Sequence, residues 1–247
     1  MKKFELTAEF VTNVFGKKLF RIKALVAFGD VEKGELGGFI EKEDNLSHDD
    51  NAWVSGNAWV YGDARVYGDA RVSGNACVYG DAWVYGDAWV YGNAQVSGNA
   101  RVYGDAQVSD NAWVSGNAWV YGDARVSGNA RVYGDAWVSG NARVSGNAWV
   151  YGNAQVSGNA RVYGNAQVSG NADYAAVAGF GRYSRTTTFF RCKDKILRVQ
   201  CGCFYGDLAQ FREIVKKTHG DSKYAKEYLA IADLMELHFS DECGGEQ

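Results

Sequence analysis

Three histidines, five cysteines and a spaced row of aspartates are the residues of this 247-residue chain whose types could do chemistry. The histidines are His48, His219 and His238, all outside the repeated part of the chain. His219, in Thr-His-Gly-Asp, falls at an expected interhelix turn, where a solvated or capping role fits better than a general base. Cys77, Cys192, Cys201, Cys203 and Cys243 are odd in number and form no disulfide framework. Cys201 and Cys203, with Cys192 and His219, have the side chains of a zinc site, but C-x-C lacks the usual two-residue gap. Strand alternation would put both thiols on one face, so they read as buried thiols, and no metal ligand is assigned.

Asp69, Asp87, Asp105 and Asp123 recur every eighteen residues. Stacked carboxylates about 5 Å apart repel by roughly 1–3 kcal/mol at surface-like dielectric, so such a row would raise some of its own pKa values or recruit cations. Alternatively these are corner residues that tolerate a left-handed backbone and point into water. The second reading fits better, because a single row lacks converging ligands. The aspartates are weak metal candidates, and no cofactor is expected.

The elements that would position these side chains come from one phrase, Ala-x-Val-[Tyr/Ser]-Gly-[Asn/Asp], running from Ala52 to Ala172. Valine falls at every sixth position from Val54 to Val168, twenty times. The first four residues alternate in, out, in, out, as in a half-buried strand. Gly followed by Asn or Asp then supplies a tight corner. Strand plus corner closes into a prism at three units, or eighteen residues, per coil. Residues eighteen apart should therefore stack at about 4.8 Å. The corners obey that register: Asn57, Asn75, Asn93, Asn111, Asn129, Asn147 and Asn165 form one all-Asn corner, and the Asp row forms another before giving way to Asn141 and Asn159. Units that bury nothing alone must stack, which predicts a solenoid of about seven coils.

The units Val-Tyr-Gly-Asp-Ala-Arg and Val-Ser-Gly-Asn-Ala-Trp resemble the hexapeptide-repeat family over about half the chain. That resemblance implies a left-handed parallel β-helix, where generic crossover rules would favour the right hand. The lead-in from Gly34 to Ser47 is similar to that of uncharacterised bacterial and phage-borne members labelled acetyltransferases. Family acyltransferases resemble one another in a coil-borne histidine base and a loop walling the coenzyme A groove. This sequence has neither within its repeats, so an acyltransferase is the least favoured alternative.

Outside the repeats, residues 1–50 read as a β-rich cap, with apolar runs Phe10 to Val14 and Leu19 to Ala27 around Gly16-Lys17-Lys18. A cap is needed because an open coil end exposes unpaired backbone groups. The solenoid is assigned to residues 51–173. Residues 174–247 are expected to hold a hairpin, Thr186 to Cys192 with Ile196 to Cys201, and two helices whose apolar faces close the coil. Asp207 with Gln210 should cap the first helix; Ser222 to Phe239 forms the second, and Glu242 to Gln247 a frayed tail. The expected class is thus an all-β solenoid with a small N-terminal β cap and a C-terminal ββαα cap.

The formal charge of −3, and repeats holding seven Arg against eight Asp and no Lys, give no electrostatic footprint for nucleic acid. The sequence shows no signal peptide and no membrane-spanning run, so a cytoplasmic protein without membrane contact is expected.

All eight tryptophans, the seven repeat arginines and ten repeat tyrosines fall at outward positions. Sorted by face, one column reads Arg65, Trp83, Arg101, Trp119, Trp137, with Tyr67, Tyr85, Tyr103, Tyr121 beside it. This face is read as the one that carries an Arg–Trp alternation. Stacking explains part of the pattern, at about 0.5–1 kcal/mol per contact. So much outward aromatic area also suggests a binding or self-association surface. The expectation is a non-catalytic binding or assembly scaffold, a homo-oligomer with a trimer favoured, whose aromatic face takes a protein or small ligand. The alternative is a sugar- or nucleotide-sequestering protein in counter-defence.

Overall fold

The computed structural model of the chain describes residues 2–240; Cys243 and the expected tail lie outside them. Three cap strands open the chain: β1 (Phe4–Thr12), β2 (Lys18–Ala24) and β3 (Leu36–Ile40). Twenty two-residue strands follow, β4 to β23, each the x and Val of one phrase, from Trp53–Val54 to Gln167–Val168. Among themselves they pair in parallel with the strand eighteen residues away, as Val72 with Val90 and Val90 with Val108. Every phrase Ala from Ala52 to Ala166 and every Val from Val54 to Val168 is buried, whereas Ala172, where the phrase ends, is exposed. The eighteen-residue β-solenoid is therefore present as expected, about 32 Å long at the usual strand spacing.

Why these residues make this shape is visible at one corner. Gly68 has φ +69°, and a Cβ added there would lie 2.9 Å from the Gly86 nitrogen of the next coil. The corner needs a left-handed residue and stacks too closely for a side chain aimed along the axis. The one exception is Asp110, at φ 59°. Its carboxylate accepts a hydrogen bond from the Gly128 N–H at 2.9 Å, which offsets the strain.

The solenoid has a chemical direction. Between phrases, the N–H groups of the x, Tyr/Ser and Asn positions donate to carbonyls one coil later, as in Trp53 to Ala70, Ser55 to Val72 and Asn57 to Gly74. The first coil consequently presents bare carbonyls and the last coil bare N–H groups. At the amino end the chain supplies donors. Lys3 Nζ donates to Ala52 O at 2.9 Å, and the fully buried Asn45 donates through Nδ2 to both Gly62 O and Ala64 O. Strand β3 acts as an extra rung, with Phe39 paired to Trp59, so solenoid pairing begins twelve residues before residue 51. At the carboxy end the chain supplies acceptors: Asp173 Oδ2 takes the N–H groups of Ser169 and Gly170, Thr188 Oγ1 that of Arg161, and Asn171 Oδ1 that of Gln155.

The carboxy-terminal cap has more strand than expected. The hairpin of β25 (Arg185–Arg191) and β26 (Leu197–Cys201) is present, but β24 (Tyr174–Phe180) and β27 (Phe204–Asp207) extend it to a four-stranded antiparallel sheet. Helices α1 (Leu208–His219) and α2 (Lys223–His238) follow. Asp207 and Gln210 form the capping box. The helices do not close the coil themselves. Phe190 and Cys192 belong to the solenoid core, whereas Phe189 and Val199 pack with Phe211, Tyr228 and Met235 in a second core. Alternation along β25 therefore makes the sheet the lid and puts the helices on its far side. Along α2, Tyr224 is exposed while Tyr228, Ile231 and Met235 are buried. Among the described residues, no helix is long and apolar enough to cross a membrane.

Candidate functional site

The three faces differ in what stands at x, at the Tyr/Ser position and at the Asn/Asp corner. The first face carries Trp53, Arg71, Trp89, Gln107, Arg125, Arg143 and Arg161 in order. The second carries Trp59, Cys77, Gln95, Trp113, Arg131, Trp149 and Gln167. The third carries Arg65, Trp83, Arg101, Trp119, Trp137 and Gln155.

On the third face the structure brings the expected column together from Trp83 onward. The Arg101 guanidinium lies 5.1 Å from the Trp83 ring centroid and 5.1 Å from that of Trp119, a cation between two indoles. Trp119 stacks on Trp137 at 5.3 Å. Beside them Tyr67, Tyr85, Tyr103 and Tyr121 form one continuous stack, with centroids 4.8, 4.8 and 5.0 Å apart. Trp83 and Trp119 meet Tyr67 and Tyr103 edge-on. Arg65 stands apart: it is exposed, and its guanidinium makes no ring contact, side-chain hydrogen bond or ion pair among the described residues. It borders an open groove of about 450 Å³ with Asp63, Asp81, Trp83, Asn99, Arg101 and Asn117.

Burial in the stack pushes the phenols of Tyr67, Tyr85 and Tyr103 up, with Arg101 pulling weakly the other way. The tyrosines therefore stay protonated donors at neutral pH. Because ring faces are consumed by stacking along the axis, the surface shows indole and phenol edges. That arrangement is rigid, and it offers no free flat platform within the stack.

Two expectations are corrected here. The Arg–Trp alternation is not confined to the third face: Arg131 lies between Trp113 and Trp149 at 5.6 and 5.3 Å on the second, beside the stacked pair Tyr133 and Tyr151. Eighteen-residue spacing alone would have revealed it. Nor are all eight tryptophans exposed. Trp53 is 2 % exposed because the N-terminal cap covers it, with Phe28 packed edge-on at 5.4 Å. Only Trp89, Trp113 and Trp137 rank among the exposed large side chains.

The all-Asn corner has a role that the sequence reading did not assign. Asn75, Asn93, Asn111, Asn129 and Asn147 each donate through Nδ2 to Oδ1 of the Asn one coil on, ending at Asn165. A carboxylate cannot donate, so an Asp ladder could not do this. Asp69, Asp87, Asp105 and Asp123 are all exposed, and Asp69 accepts from Asn51 Nδ2. Among the described residues, no three His, Cys, Asp or Glu side chains are grouped to hold a metal ion.

The remaining chemical candidates sit in the caps. His48 stacks on Phe4 at 4.2 Å and accepts the Lys3 N–H through Nδ1. His219 packs beside Tyr224 and Tyr228, and His238 against Phe239. Cys201 and Cys203 do not share a strand face, because a turn through Gly202 separates β26 from β27. Cys192 is buried, Cys201 half-buried and Cys203 exposed, so the expectation of buried thiols fails for Cys203.

The repeats are similar to the YdcK beta solenoid repeat. That family model matches residues 58–74, 64–80, 70–86, 94–106, 106–122, 124–140, 136–152 and 154–170. The matches lie wholly within the coils. A comparison with curated proteins finds no match.

Proposed function

We infer that this protein is a non-catalytic assembly scaffold that docks through the third face of its solenoid, with a second and third copy of the same chain as first partners. The observation that supports this most is the ring system of Trp83, Arg101, Trp119, Trp137 and the four stacked tyrosines, whose side chains are already held before any partner arrives. Preorganised side chains lose little rotamer freedom on docking, which favours a flat protein partner. Aromatic and Arg side chains are also those enriched where interfaces carry their energy. A left-handed coil and a trimer complete this reading by resemblance, and a cytoplasmic setting belongs to the same proposal. Acyl transfer is not part of it, since all three histidines sit in the caps, engaged with neighbouring side chains there.

The test compares two faces of the same chemistry. Trp83→Ser, Arg101→Gln, Trp119→Ser together should leave a folded chain that runs as a monomer by light scattering. Trp113→Ser, Arg131→Gln, Trp149→Ser on the second face should keep the parent assembly. If both triples, or neither, change the mass, the third face has no special role.

A further inference from the structure

The seven repeat arginines do not all have the same surroundings. Arg71 is paired with Asp30, and Arg101 and Arg131 each sit between two indoles. Arg125, Arg143 and Arg161 have no ion pair, side-chain hydrogen bond or ring contact among the described residues, and they occupy three successive rungs of the first face in register. Rung spacing sets their backbones about 4.8 Å apart, so the three like charges repel one another at close range unless an anion bridges them.

The corner beside these arginines changes at the same height. It reads Asp69, Asp87, Asp105, Asp123 and then Asn141 and Asn159. The two positions that lose their carboxylate are the ones immediately preceding Arg143 and Arg161 on their rungs. Where the edge is acidic the neighbouring first-face residues are Arg71, Trp89, Gln107 and Arg125; where it turns neutral they are arginines only. Beyond Asn159 the corner opens into a cleft of about 560 Å³ against β24, lined by Gln155, Ser157, Asn171, Tyr174 and Thr186 among others, with no charged side chain in its wall. The far half of the first face thus carries unpaired guanidiniums beside a corner whose last carboxylate is Asp123, while the uncharged cleft runs from Gln155 of the third face to Asn159 at that corner.

We propose that this stripe is a binding site for phosphate-class oxyanions carried in series, held by the guanidiniums of Arg143 and Arg161 with Arg125 at its lower end. Guanidinium forks match the oxygen geometry of phosphate, and successive rungs suit a ligand with more than one phosphoryl group. The site lies on a different face from the docking surface above and stands independently of it.

Inorganic tripolyphosphate is the probe, titrated calorimetrically into the full-length protein at low ionic strength. Saturable binding that weakens steeply with added salt is expected. Arg125→Gln, Arg143→Gln, Arg161→Gln together should weaken it by about tenfold or more. Asn141→Asp with Asn159→Asp should do nearly the same while leaving every arginine in place. That variant keeps the fold, because Asp already occupies this corner at four rungs. The third-face triple should bind as the parent does. A single-stranded oligonucleotide that competes with tripolyphosphate would identify polymer-borne phosphate as a source. No saturable binding by the parent, equal binding by the Asn→Asp pair, or oligonucleotide binding without tripolyphosphate binding would each overturn the proposal.

Discussion

In the middle of the solenoid, each coil meets its neighbours through the same six residues. At the two ends that solution stops, and side chains replace backbone in opposite senses. Lys3 and Asn45 supply donors to the bare carbonyls of the first coil, while Asp173, Thr188 and Asn171 supply acceptors to the bare N–H groups of the last. A parallel coil is therefore polar along its axis, and its caps cannot be exchanged. The middle depends on repetition and apolar burial, the ends on single polar side chains.

Val108→Asp should have the largest effect on the middle of the solenoid. It places an unpaired charge at a fully buried mid-solenoid position and should abolish cooperative folding, a loss of at least about 4–5 kcal/mol. A sigmoidal urea transition near that of the parent would show that the coil core is not the stabilising unit. Next comes Asn45→Ala, which strands two carbonyls at a fully buried site and should cost roughly 2–4 kcal/mol in the urea midpoint. Asp173→Ala at the more open carboxy end should cost about 1 kcal/mol, since water can replace part of what is lost. If Asp173→Ala proved costlier than Asn45→Ala, the ranking of the two ends by burial would be wrong.

The two regions should also respond to pH, with opposite signs. Burial lowers the Lys3 ammonium from 10.5 to about 8, so between those values the unfolded chain binds the extra proton. Stability from this residue rises with pH across that window. The solenoid tyrosines go the other way. Burial raises Tyr61 to about 12 and pushes Tyr67, Tyr85, Tyr103 and Tyr133 up from 10.0. Their contribution is complete below pH 10 and is lost as pH climbs towards 12. Urea midpoints should therefore rise from pH 8 to 10 and fall above it, and Lys3→Met should flatten the rise alone.

The candidate face was legible column by column, because a fixed period of eighteen converts position in the chain directly into position on a face. Trp83, Arg101 and Trp119 could be placed on adjacent rungs without coordinates. Trp53 shows where that reading stops: it points outward like the other tryptophans, yet a cap with no repeat of its own covers it. The lid shows the same limit. The apolar stripes of α1 and α2 told that they pack, but not that β24 and β27 would build a sheet between them and the coil.

The hexad by itself determined the strand, the corner, the coil length and the register, because each is a local consequence of alternating Ala and Val followed by a residue that tolerates φ > 0. Only the tertiary structure decided which outward side chains are covered, which guanidiniums find a partner and which groups close each end. Those outcomes depend on non-repeating segments brought from far along the chain, Lys3 to Ala52 and Thr188 to Arg161, and no periodicity encodes such distances.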